Sequence, residues 1–145
     1  DGNGGPHLIH PAGGSRRPAT PETAAAHEHT IHMNGPEVFK FAIQIMGKTA
    51  KRALENANMK PEELDMLFPH QANMRIITSA AKRLKLPMEK VWVNVNKYAN
   101  TSAASIPIAL TEAKKAGKLV KGMNIILDGF GAGLTWGAVV LKWSK

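Results

Sequence analysis

From Glu37 to the carboxyl terminus two apolar patterns take turns, and this alternation constrains the fold more than any single residue does. Val38, Phe39, Ala42, Ile45, Met46, Thr49, Ala53 and Leu54 recur at helical spacing and predict an amphipathic helix to about Asn58. Pro61 closes the connection, and Leu64-Asp65-Met66-Leu67-Phe68 is short enough to be a strand. Asn73 can cap a second helix with Ile76, Ile77, Ala80, Ala81 and Leu84 on its apolar face, closed by Pro87. The β-branched run Val91-Trp92-Val93-Asn94-Val95 predicts another strand. Ser105 can cap a third helix, with Pro107 in its first turn and Gly117 just past its end. Met123 to Asp128 is an apolar strand, Gly129 to Gly133 a tight turn, and Thr135 to Trp143 a returning strand.

The amino-terminal part has a different texture. His7-Leu8-Ile9-His10 predicts one short strand, whereas residues 11–36 are rich in proline and glycine and read as a long loop without hydrophobic period. The whole order, (β)–α–β–α–β–α–β–β, predicts an α/β fold: one domain over residues 1–145, with a mixed five-stranded sheet flanked by helices. The last two strands form an antiparallel hairpin in that reading.

Composition removes whole classes of function. The chain of 145 residues is 43% hydrophobic and 21% charged, a globular rather than a disordered balance. No apolar run is long enough to span a bilayer, and the first residues lack the pattern of a signal peptide, so a cytoplasmic protein is expected. The chain does not start with Met and is expected to be part of something longer. It contains no cysteine, which excludes disulfides, thiolate metal sites and a cysteine nucleophile of its own. The net charge of +8 favours polyanionic partners such as phosphate-bearing groups or an acidic protein. Nucleic acid is not expected, because no recognition motif accompanies the charge.

In an open α/β sheet, ligands gather where strands end and helices begin. Two such junctions carry polar groups: Pro69-His70-Gln71-Ala72-Asn73 and Asn100-Thr101-Ser102-Ala103-Ala104-Ser105. The imidazole of His70 can act as base, acid or neutral donor, and the carboxamide of Asn100 donates without titrating. Together they could hold a developing oxyanion. The competing reading is local: His70 caps a loop and Asn100 satisfies a turn. Ser102, His70 and Asp128 could be assembled into a hydrolase triad, but no nucleophile elbow accompanies them. His27, His29 and His32 could bind zinc or nickel, with only Glu28 near to complete a site; no metal is expected. The glycine-rich turn enters a strand rather than a helix, which argues against dinucleotide binding.

Phe68-Pro69-His70-Gln71-Ala72-Asn73, followed by Arg75, resembles the histidine motif of β-ketoacyl-acyl carrier protein synthase III. Asn100 to Pro107 resembles that family's asparagine motif, and Gly129 to Gly137 its carboxyl-terminal glycine loop. Met33-Asn34-Gly35 with Glu37-Val38-Phe39-Lys40 is similar to the segment opening its carboxyl-terminal half. The resemblance implies a thiolase-like, five-layered fold built of two similar halves, of which this chain is the second.

It also implies a chemistry. The family condenses an acyl-coenzyme A with malonyl-acyl carrier protein, releasing carbon dioxide, after a cysteine in the amino-terminal half has taken the acyl group. His70 and Asn100 would hold the malonyl thioester oxygen, and the backbone N–H of Ala132 the tetrahedral oxyanion. Asn73 would contact pantetheine, Phe130 would shape the wall beside the cysteine, and Arg75 would meet the carrier protein or the coenzyme A phosphates. Lys82 and Arg83 would extend that basic surface, or simply form a solvated helix face. No cofactor is implied beyond the coenzyme A thioester and the carrier protein's phosphopantetheine, both substrates. The partners implied are acyl carrier protein, acyl-coenzyme A, the amino-terminal half bearing the cysteine, and a second copy in a homodimer. Alone, the chain is expected to be inactive and to self-associate. A non-catalytic module for carrier-protein binding or dimerisation, and a chalcone-synthase-like relative, are the alternatives.

Overall fold

Leu8 and Ile9 form the short strand expected of them. In this computed structural model, which describes residues 1–145, β1 (Leu8–Ile9) pairs antiparallel with β2 (His32–Met33), Leu8 opposite Met33 and Ile9 opposite His32. The segment 11–36, expected to be a loop, instead contains β2 and a short helix, and its last two residues already belong to the next helix. Helix α1 (Pro21–Ala25) is specified by its ends alone: the Thr23 N–H donates to Thr20 Oγ1 at 3.2 Å, and the Thr20 N–H to Thr23 Oγ1 at 2.9 Å. Pro21 occupies the first turn, where a missing N–H costs nothing. A five-residue helix needs no hydrophobic period, which is why periodicity missed it. Ala12, 2% exposed, donates its N–H to the Glu28 carbonyl at 3.0 Å, and Arg17 pairs with the Glu28 carboxylate at 2.9 Å.

The chain packs as two compact units, residues 1–41 with 131–135 and residues 42–130 with 136–145. In the first, Leu134 is buried at a glycine: a Cβ on Gly4 would lie 2.7 Å from the Leu134 side chain. Gly4 therefore permits a close approach that alanine would block.

The second unit is organised by a three-stranded sheet in the order β3 (Met66–Pro69), β4 (Asn124–Gly131), β5 (Thr135–Lys142). Strands β3 and β4 are parallel, with Met66 opposite Ile125 and Pro69 opposite Asp128. Three residues join β4 to β5, too few for a crossover, so this neighbouring pair is a hairpin as expected. Helix α2 (Gly35–Asn56) begins in the first unit and presents Ala42, Met46, Ala50 and Leu54 to the core of the second, a one-turn repeat along a single face. Helix α3 (Met74–Arg83) buries Ile76, Ile77, Ala80 and Ala81, as its spacing predicted. Leu67 and Ile126 pack with Ala50, Leu54, Ile77 and Ala81 on one sheet face. The alternate residues Met66, Phe68 and Ile125 pack on the other face with Ala109 and Ala113.

Four expectations are corrected. Val91 to Val95 is not a strand: Val91 makes one isolated parallel bridge to Leu67, and the chain then turns into α4 (Val95–Tyr98). Pairing stops because the buried Gln71 side chain, rather than a strand, receives the next N–H groups. Of the five strands observed, β2 falls in the segment read as loop, and they lie in sheets of two and three instead of one five-stranded sheet. Ser105 opens α5 (Ser105–Lys115) instead of capping it, because a 3-10 turn, Ser102–Ala104, leads directly into the helix. Finally, β4 continues through Gly131, and the chain reverses only over residues 132–134, with Gly133 at φ +139°. No helix is long and apolar enough to cross a membrane.

Candidate functional site

His70 follows the last residue of β3 directly, and its place is fixed by main chain. Its N–H donates to the Asp128 carbonyl at 2.7 Å, extending the β3–β4 pairing by one step. The imidazole is half-buried, edge-on to the Phe130 ring with centroids 5.4 Å apart and planes at 74°. Burial lowers its pKa from the usual 6.5, so the ring is neutral at pH 7 and has one N–H to donate. Gly129 completes this corner: a Cβ there would lie 3.9 Å from His70 Cβ and 3.8 Å from Ile106 Cδ1. His70 thus stands beside the first turn of α5.

That turn is where the Asn100 loop arrives. Asn100 is exposed, and its Oδ1 accepts the Ser102 N–H at 2.9 Å, leaving the NH2 group as the donor end of the amide. The backbone around it is unusual. Ala99 has φ +56° and ψ −155°, a conformation suited to glycine, and Ser102 has φ +50°. The local reading of Asn100 therefore holds for its oxygen, on an exposed turn flanked by two positive-φ residues.

The sequence reading missed the group that connects these loops. Gln71, fully buried beside His70, donates from Nε2 to the Pro69 and Trp92 carbonyls, each at 3.0 Å. Its Oε1 accepts the N–H groups of Asn94 at 2.9 Å and Val95 at 3.0 Å. Asn94, 2% exposed, donates from its side chain to Glu112 of α5 at 2.7 Å. Glu112 also receives Tyr98 OH at 3.0 Å, Lys97 Nζ at 3.3 Å and Trp92 Nε1 at 3.4 Å. These donors, Asn94 foremost, hold the Glu112 pKa below its usual value against the opposing effect of burial. A sequence signal existed: Asn94 interrupts an otherwise apolar run, an expensive residue to bury without partners.

The remaining predicted residues are distributed as follows. Asn73 caps α3 as expected, its Oδ1 accepting the Arg75 N–H at 2.8 Å, and Arg75 is exposed in the first turn of that helix. Lys82 is exposed. Arg83 is more than a solvated charge: its Nη1 donates to the Gln44 carbonyl at 3.2 Å and its stem lies across Gly47 of α2. Ala132 is exposed in the β4–β5 turn, within the first unit, and its carbonyl accepts from Thr135 Oγ1 at 2.9 Å. A cavity of about 690 Å³ follows α5, lined by Trp92, Tyr98, Ile108, Thr111 and Glu112; neither His70 nor Asn100 borders it.

The hydrolase triad is excluded by geometry. Both carboxylate oxygens of the buried Asp128 lack any hydrogen-bond partner, so Asp128 does not orient the His70 ring. In the amino-terminal unit, the His27 and His29 rings are 6.1 Å apart and His32 Nε2 faces the His27 carbonyl at 3.2 Å. No group of three or more metal-ligating side chains gathers there or elsewhere.

Residues 54–143 match the family described as 3-oxoacyl-[acyl-carrier-protein] synthase III, C terminal. The chain is 57% identical over 144 residues to the β-ketoacyl-[acyl-carrier-protein] synthase III of Clostridioides difficile, covering 99% of this chain and 44% of that protein. It is 55% identical to the enzyme of the same name from Caldanaerobacter subterraneus, over 100% of this chain and 44% of that one. Among solved structures, the synthase III of Thermus thermophilus superposes with a TM-score of 0.85 at 46% identity, covering 99% of this chain and 43% of its own. That of Pseudomonas aeruginosa gives 0.87 at 39% identity, covering 100% and 42%. The chain therefore spans less than half the length of these relatives, and its α/β architecture is that of the carboxyl-terminal half of their thiolase-like fold.

Proposed function

The chain belongs to the 3-oxoacyl-[acyl-carrier-protein] synthase III carboxyl-terminal family, and from that premise we propose that it is the oxyanion-binding half of a decarboxylative condensing enzyme. The observation that carries this reading is the half-buried His70, whose pKa burial lowers, beside the first turn of α5, the helix into which the Asn100 loop leads. Two neutral donors at adjoining loops suit an oxygen that gains charge during reaction and carries less before it.

In the proposed reaction an acyl group moves from coenzyme A to a cysteine supplied by the rest of the protein, releasing the coenzyme A thiol. Malonyl-acyl carrier protein then binds with its thioester oxygen toward His70 and Asn100. The bond from the malonyl α-carbon to its carboxylate breaks, carbon dioxide leaves, and the electron pair forms an enolate on that oxygen. The enolate carbon attacks the acyl-cysteine carbon, and the resulting tetrahedral oxyanion takes the Ala132 N–H. Collapse expels the cysteine thiolate and leaves the 3-oxoacyl carrier protein. Electrons balance without a redox cofactor or a metal.

Asn73 lines the pantetheine path in this reading, its NH2 free to donate while its oxygen caps α3. Phe130 forms the wall against His70, and Arg75 meets the acidic carrier protein or the coenzyme A phosphates. The exposed Trp136 and Val139 lie on opposite sides of β5, the last strand in the sheet order, and support an edge that the amino-terminal half or a second copy covers. The enzyme works as a homodimer in the cytoplasm.

The test is made in the full-length synthase by following the two half-reactions separately. His70→Ala and Asn100→Ala are expected to slow malonyl-thioester decarboxylation by ~100- to 1000-fold while leaving cysteine acylation nearly intact. Equal loss of both half-reactions would overturn the assignment. Mixing this chain with the cysteine-bearing half is expected to restore condensation that neither performs alone.

A further inference from the structure

We propose that Gln71 and Glu112, joined through Asn94, are positioning residues that set where Asn100 sits relative to His70. The inference rests on the roles given to His70 and Asn100 above and adds the device that holds them.

Gln71 has spent every hydrogen-bonding position it has. Its NH2 group serves two carbonyls and its oxygen receives two backbone N–H groups, all within 2.9–3.0 Å. Turning this buried amide would break four bonds at once and strand polar groups away from water. Because Gln71 follows His70 directly in the chain, the same amide that receives Asn94 and Val95 also fixes the loop presenting the imidazole.

Glu112 works from the opposite side. Its carboxylate collects donors from Trp92, Asn94, Lys97 and Tyr98, all in the segment that delivers Asn100. Asn94 belongs to both centres, its N–H on Gln71 and its side chain on Glu112. The first turn of the Glu112 helix also packs at Gly129 beside His70, so the connection closes on itself.

The backbone gives an independent reason to need such a clamp. Ala99 and Ser102, on either side of Asn100, both have positive φ, and at Ala99 φ +56° with ψ −155° is a region that side chains resist. A loop left to itself would relax from that conformation and carry Asn100 with it. Four donors on one carboxylate, immediately upstream, oppose the relaxation. A donor displaced by about 1 Å from a developing oxyanion can cost ~100-fold in rate, so a clamp of this kind has a catalytic consequence without touching substrate.

Two arms test it. In this chain, Glu112→Gln is expected to raise amide exchange at residues 99–102 by ~10-fold or more while core amides of β3 and β4 stay protected. Tyr98→Phe, which removes one donor and no packing, is the milder second variant and is expected to move exchange in the same direction. In the full-length synthase, both are expected to lower the decarboxylation kcat, Glu112→Gln by ~10- to 100-fold, with KM and cysteine acylation within ~2-fold. Unchanged exchange at residues 99–102 in both variants would overturn the clamp. So would faster exchange accompanied by undiminished decarboxylation. Failure of the underlying roles is recognised separately: Asn100→Ala would then leave decarboxylation intact whatever Glu112→Gln does.

Discussion

The backbone N–H of His70 donates to the Asp128 carbonyl at 2.7 Å, while the buried Asp128 carboxyl has neither oxygen in a hydrogen bond. The two residues are tied through main chain only. Burial without a partner pushes the Asp128 pKa from 3.8 up to about 8. In the folded protein the carboxyl therefore keeps its proton across a range in which the unfolded chain has lost it. The folded state binds the extra proton, so this group's contribution to stability is greatest below pH 4, declines as pH rises toward 8, and levels off above. Asp128→Asn is expected to flatten that decline. Urea unfolding should find the variant close to the parent at pH 4 and clearly more stable than it at pH 8.

The His70 ring titrates below 6.5 because it is half-buried against Phe130. Phe130→Ala opens that side to water and is expected to move the midpoint upward toward the ordinary histidine value. Histidine ring resonances followed by NMR against pH report the shift directly. A midpoint unmoved by the substitution would show that Phe130 does not shield the ring.

Ala99 occupies a glycine-like conformation with an ordinary side chain. Ala99→Gly is expected to raise stability by ~1 kcal/mol, the relief of strain exceeding the added flexibility of the unfolded chain. Ala99→Val is expected to destabilise by more than the glycine variant stabilises. Thermal unfolding midpoints of the three proteins decide it.

Gly47 lies where α2 meets α3. A Cβ there would come within 2.8 Å of Arg83 Cβ and Cδ, and Arg83 Cβ cannot swing aside as a chain end could. Gly47→Ala is expected to destabilise by ~1 kcal/mol, the steric conflict outweighing alanine's better helix propensity. Denaturation midpoints check the sign, which is opposite to that for an exposed helix.

Much of this was legible before any coordinates. The helical spacing that includes Ala42, Met46 and Leu54 and the cap at Asn73 are local properties, and both helices form close to where they were read; Ala50, which completes the buried face of α2, was not among the residues read. Residues 91–95 failed for the opposite reason. Their β-branched run satisfies a strand template, but whether it pairs depends on Gln71, some twenty residues away in sequence. Helix α1 failed because Thr20 and Thr23 specify it through reciprocal bonds that leave no hydrophobic period.

His70 and Asn100 stood out in the sequence through motifs resembling those of a known family, whereas spacing alone left a local role for each open. The sequence also determined that no cysteine comes from this chain. Only the tertiary structure decided that burial lowers the His70 pKa, that Asp128 stands apart from the ring, and that Glu112 holds the segment leading to Asn100. The physical reason is the same in each case. Burial and hydrogen-bond saturation are properties of groups brought together from distant parts of the chain, and no local pattern records which groups will meet.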